Sequence, residues 1–203
     1  MISATYCMTM SALYHLFTSL SEEVMQRFQG LDLAGISLLI WGSMVPMIYY
    51  SFCSEFWRNF YLFSFGAISS LTFSFSIFDY EKIFNLDSSR YIILRTSGFI
   101  CSGAFAIFPI LHLSYNYYFF GVPVAWIQLT NMIMEGFLYL TGALAYLYSF
   151  PEAFFKSGMF DYFFASHQLW HLVIFLASMI HYYSAIDMYE WRQETGCNCT
   201  ACA

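Results

Sequence analysis

The chain has 203 residues, of which 60% are hydrophobic, 23% aromatic and only 10% charged, and its formal net charge is −6. Soluble domains carry about 25% charged residues, so this composition excludes an ordinary soluble domain and predicts an all-α, polytopic membrane helical bundle. Seven Lys and Arg, nowhere gathered into a basic stripe, exclude nucleic acid as a partner.

A membrane-spanning helix needs roughly 20 apolar residues. Residues 1–17 sit near the lower limit and include Thr5, Thr9 and Ser11. They lack the basic start and small-residue cleavage pattern of a signal peptide, so they read as a shortened transmembrane helix in a chain missing an N-terminal region. Residues 33–54 and 59–78 each give one uncharged span. Residues 96–134 are also uncharged but too long for one crossing. Tyr115-Asn116-Tyr117-Tyr118 and Gly121-Val122-Pro123 divide them into two helices, the second continuing to about Phe150. A last helix is expected over 161–186. The bundle then occupies 1–190, and 191–203 form a cysteine-containing extracellular tail with Cys197, Cys199, Cys202 and the sequon Asn198-Cys199-Thr200.

Alternating crossings place Arg27, Lys82, Arg90, Arg95 and Lys156 on one face and leave Arg58 and Arg192 on the other. By the positive-inside rule the first face is cytoplasmic and the C-terminus outside.

The 162–186 run carries no Asp, Glu, Lys or Arg, yet holds His167 and His171 at helical i, i+4 spacing. With a helix starting at 161, they fall about 9 and about 15 Å into it. His15, near the end of the first segment, and Asp32, at the start of the second, come to the same side of the membrane. Three convergent imidazoles in a membrane protein are costly unless something binds them, and three His around zinc leave a fourth position open for water. A zinc-bound water ionises near pH 7. Asp32 is placed to hold or deprotonate it, Arg95 to orient a polar headgroup or oxyanion, and Ser11, one turn before His15, to support a ligand by a hydrogen bond.

At these residues the chain resembles the progestin and adipoQ receptor family, above all its adiponectin receptor branch, with relatives among hemolysin III-like proteins. Ser11-Ala12-Leu13-Tyr14-His15 resembles the family's S-x-x-x-H. Leu31-Asp32-Leu33-Ala34-Gly35-Ile36 resembles its D-x-x-G-I, and the stretch from Leu38 through Trp41, Gly42 and Pro46 to Phe52 resembles the adiponectin receptors. Pro151-Glu152 with Phe160-Asp161 is similar to P-E-x-x-F…F-D, and Ser166-His167-Gln168-Leu169-Trp170-His171 to S-H-Q-x-x-H.

The resemblance implies a seven-helix architecture with its N-terminus in the cytosol, about six helices being present here. It also implies an intramembrane zinc held by His15, His167 and His171, with Asp32 reaching it through water and Arg95 and Tyr146 lining a lipid-hydrolysing site. Ceramide is the implied lipid, an adiponectin-like extracellular protein the implied ligand, a cytoplasmic signalling adaptor the implied partner, and the plasma membrane the implied location. Leu33 departs from the branch's aromatic, and Lys156-Ser157-Gly158 replaces a Pro-Gly turn with one residue more.

Other readings stand beside these. Zinc can be structural in a non-enzymatic receptor. His167 and His171 alone can be interhelical hydrogen-bond partners, worth about 0.6 kcal/mol each. A haem would want opposed histidines rather than a triad, and a retinal Schiff base a mid-membrane lysine, whereas Lys82 and Lys156 fall in loops. Asp32 can be a helix N-terminal charge, Arg95 a snorkelling anchor and Tyr146 part of an aromatic belt. His112 and His181 read as structural, Glu135 as a paired structural acid, and Cys7, Cys53 and Cys101 as buried thiols.

Overall fold

A computed structural model of the chain describes residues 1–78, 83, 87–120, 123–156, 158–160 and 162–196. Lys82, Ser157, Asp161, Gly121, Val122, the three tail cysteines and the sequon lie outside the described residues.

The helices are α1 (Ile2–Phe17), α2 (Glu22–Ser51), α3 (Glu55–Ile77), α4 (Ser88–Phe105), α5 (Ile107–Phe120), α6 (Pro123–Leu147) and α7 (Ser166–Thr195), with a 3-10 turn at Glu152–Phe154. Four stretches are long and apolar enough to cross a membrane: Glu22–Ser51, Glu55–Ile77, Arg90–Asn116 and Ser166–Glu194. The third runs through the α4–α5 junction, so α4 and α5 count as one rod and the described helices make six units. The junction has a local cause. Pro109 has no N–H to offer the carbonyl four residues back at Phe105. The Ala106 N–H closes a tighter turn on Gly103 O at 3.2 Å instead. The outward faces carry large apolar side chains such as Phe63, Ile93 and Phe137, as lipid contact requires of a bundle whose backbone bonds are satisfied internally. The chain is an integral membrane protein.

Helix α2 begins well before the apolar run expected from residue 33. Ser21 caps it by accepting the Val24 N–H at 3.3 Å, Glu22 and Glu23 occupy the first turn, and Arg27 pairs with Glu23 at 2.6 Å. Helix α4 likewise starts at Ser88, ahead of the uncharged run that begins at residue 96, so it includes Arg90 and Arg95.

Helices α1 and α2 pack through a seam of small residues. A Cβ on Gly35 would lie 2.9 Å from the Cys7 Cα, and one on Gly42 only 2.7 Å from the Ser3 Cβ. Without a hydrophobic drive between helices in lipid, such close backbone approach is what holds them. Two apolar clusters fill the interior. One gathers Ile48, Phe52, Tyr61, Phe65, Leu113 and Met188, and the other Cys7, Leu39 and Ile174 with Tyr139 and Trp170.

Helix α7 starts at Ser166, not 161, and continues to Thr195 before Gly196 turns at φ 60. Residues 191–195 of the expected tail are therefore helical, and Arg192 donates to Cys53 Sγ at 2.8 Å. Two of the three expected buried thiols are corrected. Cys53 is disulfide-bonded, and Cys101 is a free thiol exposed on the outer side of α4. Cys7 is buried and free.

Candidate metal centre

Along α1, Ser3, Cys7, Ser11 and His15 follow one another at i, i+4 and form a single stripe. The first two lie in the glycine seam against α2, which fixes the face from which Ser11 and His15 project. His167 and His171 share a face of α7 by the same spacing. Because α7 starts late, His167 sits in its first turn and His171 one turn deeper, shallower than the expected 9 and 15 Å.

The three rings meet. His15 Nε2 and His167 Nε2 lie 2.9 Å apart, and His171 Nε2 and His167 Nε2 lie 3.1 Å apart. The ligand-capable atoms of all three fall within 4.8 Å of one another. His15 is exposed, and the other two are half-buried.

This donor set fits a metal. The Nε2 of His167 faces two other Nε2 atoms, yet one imidazole nitrogen either donates one hydrogen bond or accepts with one lone pair. Three lone pairs directed at one another repel, and a cation between them turns that repulsion into coordination. With Zn–N bonds of about 2.0–2.1 Å, tetrahedral geometry asks for nitrogens about 3.3 Å apart, close to the spacing seen.

The remaining sequence-expected residues divide. Ser11 Oγ lies 3.1 Å from His171 Nε2. Asp32, half-buried on α2, interacts with the Ser11 hydroxyl and electrostatically with His15 and His167. The Tyr146 ring stands 5.4 Å from that of His167 and 6.5 Å from that of Trp170. Arg95 instead lies over the Tyr91 ring, 5.4 Å from its centroid. Among the described residues no hydrogen bond, ion pair or ring contact joins Arg95 to the triad.

Sequence reasoning did not connect Glu152 to this site. Its Oε1 accepts the Ser166 N–H at 2.7 Å and the Ser166 hydroxyl at 2.9 Å, closing the N-terminus of α7 beside His167. Desolvation pushes the Glu152 carboxyl up, but the hydrogen bonds from its own backbone and from Ser166 outweigh it and hold the group below the ordinary value. The available signal was an acid just after a proline in the loop preceding a Ser-His helix start. The structural expectations for the other histidines fit their partners. His112 lies 3.2 Å from the Tyr61 hydroxyl among Phe52 and Trp57, and His181 is bonded to Glu135.

The model of the haemolysin-III-related family matches residues 1–182. Heptahelical transmembrane protein 4 of Arabidopsis thaliana is 34% identical over 195 residues, covering 96% of this chain and 49% of that protein. The adiponectin receptor protein of Drosophila melanogaster is 32% identical over 192 residues, 94% of this chain and 42% of that one. Progestin and adipoQ receptor family member 3 of Homo sapiens is 29% identical over 191 residues, 93% and 56% respectively. The chain spans about half the length of these three relatives. With a family match over most of its length and a histidine triad assembled from its α1 and α7, the chain belongs to the haemolysin-III-related family, together with adiponectin receptor and progestin and adipoQ receptor proteins.

Proposed function

We propose that this chain is an adiponectin-receptor-like membrane signalling receptor whose triad holds zinc and hydrolyses a lipid amide of the ceramide class. The observation that carries the reading is the convergence of three Nε2 atoms beside an acid; a tetrahedral zinc held by three His would keep its fourth position for water. His15, His167 and His171 are the zinc ligands. Zinc bound there would supply Lewis-acid activation of water and of the amide carbonyl. Asp32 takes the proton released by the attacking water and passes it to the departing amine nitrogen as the C–N bond breaks, and the Ser11 hydroxyl orients its carboxylate. Tyr146, at the edge of His167, positions the lipid headgroup. Arg95 serves the same headgroup from α4 when its long side chain leaves Tyr91. An apolar cavity of about 410 Å³, bounded by Cys7, Ile36, Trp170 and Ile174, lies about one turn below the triad and suits an acyl chain.

The bundle over 1–190 acts as one domain in the plasma membrane. The triad lies on the cytoplasmic side, where a signalling adaptor docks, and the C-terminus is outside, where an adiponectin-like protein binds. Elemental analysis of the purified chain tests the metal. About one zinc per chain, lost in both His15→Ala and His167→Ala, is the expected result. Hydrolysis of several ceramides by the zinc-loaded protein but not by His167→Ala tests the chemistry, and equal rates would end it.

The bridging of α1 to the start of α7 favours a second reading, in which zinc only braces the bundle of a non-enzymatic receptor. Then metal removal lowers thermal stability, and no ceramide is cleaved under any loading.

A further inference from the structure

Helices α2 and α3 leave a groove of about 460 Å³ between them, away from the triad. Trp41 walls it on α2, and Gly66, Ala67, Ser69 and Ser70 line it on α3. The groove faces outward, since Ala67 and Ser70 are exposed and Trp41 is 40% exposed. A Cβ on Gly66 would lie 3.4 Å from Trp41 Nε1, so the indole nitrogen sits against this floor. At the helical rise these residues lie about 15–22 Å from the α2–α3 turn, within the hydrocarbon of a bilayer about 30 Å thick.

Three polar groups in the groove are left over. The hydroxyl of Ser69, a residue only 4% exposed, has no hydrogen-bond partner among the described residues. The same holds for the Ser70 hydroxyl and the Trp41 N–H. Neighbouring hydroxyls are satisfied within their own helix. Ser43 donates to Ile40 O at 2.8 Å, Thr72 to Ile68 O at 2.9 Å and Ser74 to Leu71 O at 2.7 Å. Lipid tails can fill the shape of the groove, but they offer nothing to an indole N–H or a hydroxyl. A helix with a polar side chain at the same depth offers both.

The floor suits such a helix. Gly66 and Ser70 stand at i, i+4 with Ala67 between them, a small-residue face that lets two backbones approach closely in lipid. The groove is also its own complement. It holds a donor on α2 and hydroxyl acceptors on α3, so a two-fold axis pairs each with the other. We propose that this groove is the contact between two copies of the chain, α3 of each lying in the groove of the other. The Trp41 N–H of one copy donates to Ser70 Oγ of the second copy, and symmetry repeats the bond. The contact uses no ligand of the triad, so its failure and that of the zinc reading are separable.

The test is energy transfer between donor- and acceptor-labelled chains in liposomes over a series of lipid dilutions. The expected result is a saturable dimer that dissociates on dilution. Ala67→Leu and Ser70→Leu fill the groove from exposed positions and should abolish the transfer with thermal unfolding unchanged. Ala143→Leu, the same enlargement on an exposed face of α6, should leave it intact. An interhelical hydrogen bond in lipid is worth about threefold in association, and the dimer has two, so Trp41→Phe should weaken it roughly eightfold. A chain that is monomeric at every dilution overturns the proposal. So does a dimer untouched by Ala67→Leu and Ser70→Leu, or one weakened as much by Ala143→Leu.

Discussion

Glu152 reaches across the loop between α6 and α7 to accept two hydrogen bonds from Ser166, at 2.7 and 2.9 Å, and so fixes the residue immediately before the triad ligand His167. Replacing Glu152 by Ala frees the first turn of α7 and lets that imidazole wander. Outer groups that orient metal ligands are worth about 10–100-fold in affinity. A zinc competition titration should show a loss in that range for Glu152→Ala, with Glu152→Gln recovering part of it through its remaining carbonyl oxygen. Unchanged affinity in Glu152→Ala would leave the Ser166 contact a loop feature only.

The same contact has a pH signature. The folded-state pKa of Glu152 is depressed by hydrogen bonds below its ordinary value of 4.5. Its stabilising contribution is therefore complete above that ordinary value and is lost as pH falls through the lower, folded-state one. Thermal unfolding measured between pH 7 and pH 3 should show the native chain losing stability relative to Glu152→Gln at the acid end. Parallel profiles for the two proteins would contradict this.

Gly35 sets the position of His15 from a distance. The atom a new Cβ would meet is Cys7 Cα, a backbone atom with no freedom to swing aside. Gly35→Ala should force α1 from α2, cost about 1–3 kcal/mol of stability as overpacking does, and reduce zinc content although no ligand has changed. Gly103→Ala is the matched control, since nothing lies within 4 Å of a Cβ there.

Chelation should lower the melting temperature of the native chain but not of His167→Ala. A ligand present at about 100 times its Kd stabilises by about 2.7 kcal/mol. Differential scanning fluorimetry with and without chelator checks this, and equal shifts in the two proteins would mean the metal binds elsewhere.

The triad was legible in the sequence because i, i+4 spacing and span assignment both constrain which side chains converge. Helix ends were harder. The start of α2 was written in Ser21, Glu22 and Glu23, but these polar residues lie outside the apolar run by which a span is recognised. The start of α7 was hidden for the opposite reason. Tyr162, Phe163, Phe164 and Ala165 are apolar enough to extend the run, and what sets the boundary is Glu152, well upstream in the chain. The pairing of Glu135 with His181 is of the same kind. The acid was expected to have a partner, but nothing local names a residue 46 positions away. The Arg95–Tyr91 contact is short-range, yet many aromatics compete for an arginine in this chain, and spacing alone does not choose among them.

The two ends of the metal site are 152 positions apart in the chain. During synthesis His15 emerges long before His167, and every intervening helix must be threaded and packed before the second helix face can meet the first. Metal capture by the triad would thus be a late event that reports completed assembly, and once made it would staple the bundle shut. Because the entropy of closing a loop grows only by about 0.6 kcal/mol per doubling of its length, drawing ligands from such distant helices costs little more than drawing them from neighbours.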